Sequence, residues 1–289
     1  MKNNLIILVL FLFSLIFFSC NKEEKNEECK ENNFIYPLSV GNTWEYTREW
    51  NIYFFSDSSE APQYFDTLTY SSEVSVRITD KVFLHDTLET YEMIGIENDG
   101  INTYTQTNYY KSQDDGLYIY AYIAGGPIIL PKKQSENKIR FKGLEFNSFF
   151  QLSNYVQQLV PAYTILSDSI YFEEPPVKTL QYPIEIGDQW TYRESGAPWR
   201  MDRLVSSQKE IKLEIGTFNC YEIRFIYDMD EDGEWDDDIW IVDYINEKGL
   251  INRIITILCV EETTVEFPEG TGVFFDVIDE YKLTEVSVQ

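Results

Sequence analysis

The chain changes character twice along its length. Leu5 to Phe18 is apolar apart from Ser14, the next stretch is polar, and from Phe34 onward apolar and polar positions mostly alternate with period two. Alternation sends successive side chains to opposite faces of an extended chain and so predicts half-buried strands. Tyr221, Ile223, Phe225 and Tyr227 share one face, with Glu222 and Arg224 on the other; Leu117, Ile119, Ala121 and Ile123 oppose Tyr118, Tyr120 and Tyr122. Residues 74–78, 239–244, 251–260 and 273–278 read as further strands, and Asn98-Asp-Gly100 and Asp114-Asp-Gly116 as turns. Phe149 to Leu159 departs from this pattern: Phe149, Leu152, Val156 and Leu159 keep helical spacing. The expectation is a mainly β fold, an antiparallel sandwich or a partly open barrel, with one short helix.

A duplication organises these strands. Tyr36-Pro-Leu-Ser-Val-Gly-Asn-Thr-Trp-Glu-Tyr46 and Tyr182-Pro-Ile-Glu-Ile-Gly-Asp-Gln-Trp-Thr-Tyr192 align without a gap. Asp86–Met93 lies beside Gly216–Ile223, and Asp115-Gly-Leu117 beside Lys248-Gly-Leu250, in the same order. The fold is thus read as two degenerate repeats, about 36–123 and 182–289, joined by 124–181. The first copy is longer, and polar Ser56–Pro62 is the expected loop for the surplus. Pro37 or Pro183 is expected at a strand's first position, Gly41-Asn42 or Gly187-Asp188 as a turn pair. The Trp and Tyr two residues apart then pin one face to a core.

The start of the chain carries an address. Lys2 followed by the short apolar run reads as a signal peptide over residues 1–19, too short to favour spanning a bilayer. Ser19 before Cys20 resembles a bacterial lipobox, although Phe17 and Phe18 stand where Leu and a small residue are usual. The resemblance implies cleavage before Cys20, lipidation of its sulfur, and a membrane partner held through acyl chains. Residues 20–33 then form a flexible, acylated tether. Lys22-Glu23-Glu24 resembles the signal that sends some Gram-negative lipoproteins to the outer cell surface.

The repeated Tyr-Pro-Leu-x-Val-Gly-Asn-x-Trp-x-Tyr motif, Gly216–Ile223 and Glu247-Lys-Gly-Leu-Ile-Asn252 resemble a broad, poorly characterised group of bacterial secreted lipoproteins. That group's usual Gly-x-Gly-Leu ending is reduced here to Lys248-Gly-Leu. The resemblance spans about residues 34–289 and implies a β-rich exported lipoprotein in the cell envelope, with no particular reaction.

Composition narrows the chemistry. Among 289 residues, 23 Lys+Arg face 49 Asp+Glu, a formal charge of -26, which argues against nucleic acid because phosphates need clustered cations. A basic patch cannot do the anchoring either. Eight acids crowd Asp228–Asp238, and Asp228, Asp230, Asp232, Gly233 and Asp236 match EF-hand loop positions 1, 3, 5, 6 and 9, with Glu234 able to add its carbonyl. The pattern suggests Ca²⁺, but position 12 is Ile239 and the flanks read as strands. A solvated acidic turn is the alternative. Cys220 and Cys259 could form a disulfide in an exported protein, or stay separate thiols. The single histidine, His85, sits beside Asp86 in a turn, and no nucleophile elbow, His-Glu-x-x-His or phosphate loop is present. Tyr118, Tyr120 and Tyr122, with Tyr104, Tyr109 and Tyr110 upstream, could pack or form a platform for a protein or glycan ligand.

Together these features suggest an outer-membrane lipoprotein of the cell envelope, surface-exposed if its export signal acts. Its β-domain would serve binding or structure without catalysis. A lipid or lipoprotein carrier with an apolar cavity is the second reading. An enzyme acting on glycans or peptides is the third.

Overall fold

The computed structural model of the chain describes residues 34–56, 63–100, 103–123, 137–157, 170–194 and 199–289. The leader, Cys20, the tether, most of Ser56–Pro62 and Leu159 lie outside the described residues.

Strands dominate. In chain order they are β1 (Thr43–Phe55), β2 (Asp66–Leu84), β3 (Leu88–Asn98), β4 (Thr103–Gln113), β5 (Gly116–Ile123), β6 (Asn137–Phe141) and β7 (Leu144–Phe146). After helix α1 (Phe149–Val156) come β8 (Ile170–Gln181), β9 (Gln189–Arg193), β10 (Arg200–Leu213), β11 (Gly216–Asp228), β12 (Ile239–Asn246), β13 (Gly249–Thr264) and β14 (Phe274–Ser287). They form one antiparallel sheet in the order β8-β5-β4-β3-β2-β1-β14-β13-β12-β11-β10-β9, with β6 and β7 attached to the end of β13.

The two ends of that path, β8 and β9, lie side by side, so the sheet nearly closes into a barrel. No backbone ladder joins them among the described residues; side chains do. Trp190 Nε1 donates to the Lys178 carbonyl at 3.0 Å and Arg193 grips Glu173 through two bonds of 2.7 and 2.6 Å, while Arg203 reaches across from β10 to the Thr179 carbonyl.

The duplication has a structural counterpart. Gly41 N–H donates to the Ile78 carbonyl and Ile78 N–H to the Asn42 carbonyl; Gly187 and Val205, then Val205 and Asp188, repeat the arrangement. Both glycines hold a left-handed backbone, φ +96° and +97°, which a side chain would strain. Pro37 and Pro183 each stand six residues before their strand, in the lead-in loop rather than at the first strand position. The loop is where the chain crosses the barrel end: Tyr36 N–H donates to the Tyr182 hydroxyl at 2.9 Å, uniting the two copies. Most of the surplus length of the first copy goes into its first hairpin, whose strands have 13 and 19 residues against 5 and 14.

The helix forms where its periodicity predicted, capped by Ser148, whose hydroxyl accepts from Gln151 N–H at 3.1 Å. Leu152 and Val156 join one buried cluster with Phe225, Tyr227, Ile241, Ile255, Phe275 and Val277, so α1 fills the barrel end remote from Phe34. Trp44, Tyr46, Ile251 and Leu283 fill the other end.

Between these apolar layers runs a polar belt. Arg48, Tyr281, Arg253 and Asp243 are successive cross-strand partners on β1, β14, β13 and β12. Arg48 binds both oxygens of Asp279 at 2.9 and 2.6 Å and reaches Glu97 at 2.7 Å. Arg253 binds both oxygens of Asp243 at 2.6 and 2.8 Å. The helix joins the belt through Ser153, which donates to Asp279 at 2.8 Å, and Gln157, which accepts from Arg253 at 3.3 Å. Burial opposes the charge on Arg48 and Arg253, but their buried carboxylates outweigh it and raise both pKa values.

Candidate metal centre

The acidic segment is the connection between β11 and β12. Asp228, the last residue of β11, pairs with Arg200 on β10 and is 4% exposed; Asp230 and Asp232 follow in the open loop. One carboxylate oxygen from each of the three lies within 4.8 Å of the others. The Oδ1 atom of Asp228 is buried without a hydrogen-bond partner. A buried carboxylate oxygen with no donor loses its hydration and gains nothing in return. A cation seated among the three would supply the missing partner. The spacing suits Ca²⁺, whose oxygen ligands stand about 2.3–2.6 Å from the ion and so up to about 5 Å from one another.

The side chains of Asp236 and Glu234 are not part of this trio. Asp236 turns away: its Oδ2 accepts from Met229 N–H at 2.8 Å, and its Oδ1 takes Lys142 Nζ at 2.7 Å. Glu234 stays exposed and donates its N–H to Asp232 Oδ1 at 2.8 Å, outside the carboxylate trio. Ile239 begins β12 fully buried in the core, so the twelfth EF-hand ligand position is a packing residue. The result is a three-carboxylate turn between strands in place of an EF-hand.

Lys142 is the member that sequence reasoning missed. It comes from the β6–β7 turn and bridges Asp236 and Asp238 at 2.7 and 3.0 Å. Burial disfavours its charge, yet the two carboxylates outweigh burial and raise its pKa. Burial likewise pushes Asp238 up, against the pull of Lys142. Nothing in the local sequence announces this ion pair, because its halves are 94 residues apart.

The other candidates disperse. Cys220 is a buried free thiol on β11; Cys259 is an exposed one on a β13 bulge at φ +55°, two strands away, so of the two readings the separate thiols hold. Burial raises the pKa of Cys220 to about 12. His85 stacks on Phe172 with ring centroids 4.1 Å apart. The tyrosine row divides: Tyr109 is buried, Tyr118 donates to Asp115 at 2.7 Å, and Tyr122 stacks on Tyr171.

No protein-family model matches the chain, and no curated protein matches it significantly. Solved structures do align. A predicted exported protein with a YmcC-like fold from Bacteroides fragilis covers 88% of this chain and 99% of its own at 10% identity, with a TM-score of 0.35. A predicted lipoprotein from Parabacteroides distasonis covers 88% and 98% at 12% identity, with a TM-score of 0.32.

Proposed function

We propose that the protein is a non-enzymatic lipoprotein of the cell envelope, anchored in the outer membrane through acyl chains on Cys20, whose β-barrel holds Ca²⁺ at Asp228, Asp230 and Asp232. The observation that carries the metal assignment is the convergence of the Asp228, Asp230 and Asp232 carboxylates, one of which, Asp228, is buried with its Oδ1 unpartnered. The short leader and the Ser19-Cys20 step support anchoring. The strand directions support a division of labour. The chain enters the barrel at Phe34, beside the start of β1, whereas the acidic turn and α1 lie at the opposite end. Calcium would lock that far end, where neighbouring carboxylates otherwise repel.

One alternative fares worse. A lipid carrier needs an apolar cavity, and this barrel is crossed by the Arg48–Asp279 and Arg253–Asp243 pairs.

Isothermal titration calorimetry with Ca²⁺ on the full-length protein in detergent should show binding in the extracellular range of about 10⁻⁴–10⁻³ M. Asp230→Asn/Asp232→Asn should abolish it. Absence of heat in millimolar Ca²⁺ would overturn the assignment. Anchoring has its own readout: Cys20→Ala should abolish incorporation of labelled palmitate in cells.

A further inference from the structure

Strand β2 outruns its neighbour. β1 pairs with Asp66–Arg77, but β3 pairs with β2 only from Glu73, opposite Asn98, onward. Residues 66–72 therefore present one edge with no ladder partner among the described residues. Such edges are normally blunted by Lys, Pro, a bulge or inward charge. This one has none of these: Thr67-Leu-Thr-Tyr-Ser-Ser72 is uncharged, its pairing with β1 runs without a register shift, and Leu68 and Tyr70 are 42% and 52% exposed.

At the inner end of the edge, where β3 stops, lies a groove of about 400 Å³ lined by Thr47, Ser71, Ser72, Glu73, Asn98, Asp99 and Gly100. Its lining contains two carboxylates and no cation. Glu97, next to it, is already engaged by Arg48 and Ser72, whereas Glu73 forms no ion pair among the described residues. The edge thus offers main-chain hydrogen bonds and the groove offers negative charge. A second copy of the chain is a poor occupant, since each carries a charge of -26.

We propose that the Asp66–Ser72 edge and its groove capture an extended, basic segment of a partner protein by strand addition, with a Lys or Arg side chain seated against Glu73 and Asp99. This surface requires no cation at Asp228.

Fluorescence anisotropy on the full-length protein in detergent tests it with a labelled peptide of alternating lysine and valine or threonine. Two control peptides replace lysine by glutamate or carry N-methyl groups on alternate residues, which removes strand donors while keeping charge. The lysine peptide should bind saturably, both controls about tenfold or more weakly, and Glu73→Gln/Asp99→Asn should weaken the lysine peptide about tenfold. Both acids are exposed, so the variant should keep the parent melting curve. Equal binding of the N-methylated peptide would reduce the effect to adsorption on an acidic surface and overturn the proposal. So would an unaffected double variant, or no binding at millimolar peptide.

Discussion

A Cβ added at Gly249 would lie 2.8 Å from Trp44 Nε1, on a backbone already at φ +100°. The contact exists because Trp44 reaches into the second copy and donates to the Lys248 carbonyl. Gly249→Ala should therefore lose about 2–4 kcal/mol in urea unfolding, since the ring, the turn and the left-handed backbone cannot all be kept. Arg48→Met should be worse, at about 3–5 kcal/mol, because it leaves Asp279 buried at 1% exposure without its counterion. Arg48→Met/Asp279→Leu should regain much of that loss, which the same unfolding series would show. Glu222 adds a pH dependence. Burial disfavours its charge, but Lys209, Ser206 and Arg224 overcome burial and hold its pKa at about 2, below the ordinary 4.5. A depressed carboxyl stabilises the fold fully above its unfolded pKa, so this contribution should fade as pH falls from about 4.5 toward 2. Glu222→Gln should be less stable at pH 7 and show a flatter acid limb. Alternation put Glu222 on the polar face; its burial was not legible, because Lys209 and Ser206 come from β10 and Tyr244 from β12.

At the scale of elements, the strands predicted at 239–244, 251–260 and 273–278 lie within β12, β13 and, save for Val273, β14, and the Asp/Asn-Gly turns join β3 to β4 and β4 to β5. Alternation and turn chemistry are local, so they survive folding. The surplus of the first copy was misplaced because a polar loop and a longer hairpin add the same number of residues to an alignment. Only pairing tells them apart. Pairing also exposes the weak line of the barrel. β1 and β14 share a ladder from Thr43 to Phe55 with one irregularity between Glu45 and Tyr46, while β8 and β9 meet through side chains. Hydrogen exchange should accordingly be slow along β1 and β14 and faster for β8 and β9. Trp190→Phe, which removes the bond to Lys178, should speed the latter without altering the former. Uniform protection around the barrel would refute this view of the seam.

Across the whole molecule, the sheet path divides into two runs of six strands: β1 to β5 of the first copy with β8 from the joining segment, and β9 to β14 of the second copy. Neither run alone encloses a core; together they enclose the Arg48 and Arg253 pairs between two apolar layers. The charge of -26 is correspondingly uneven, with a carboxylate trio at the β11–β12 turn, an acidic groove beside β2, and buried acids neutralised inside. By itself the sequence determined the β class, the helix, the repeat and the acidic turn, all of which arise from neighbours along the chain: side-chain alternation, glycine turns and crowded carboxylates. The tertiary structure alone decided that the sheet closes as a barrel, that Asp236 leaves the trio for Lys142, that the two thiols stay apart, and that β2 keeps an open edge. Those outcomes depend on which strands become neighbours. The pairing of β1 with β14 brings together residues up to 247 positions apart, such as Gln289 and Asn42, and no local pattern encodes that meeting.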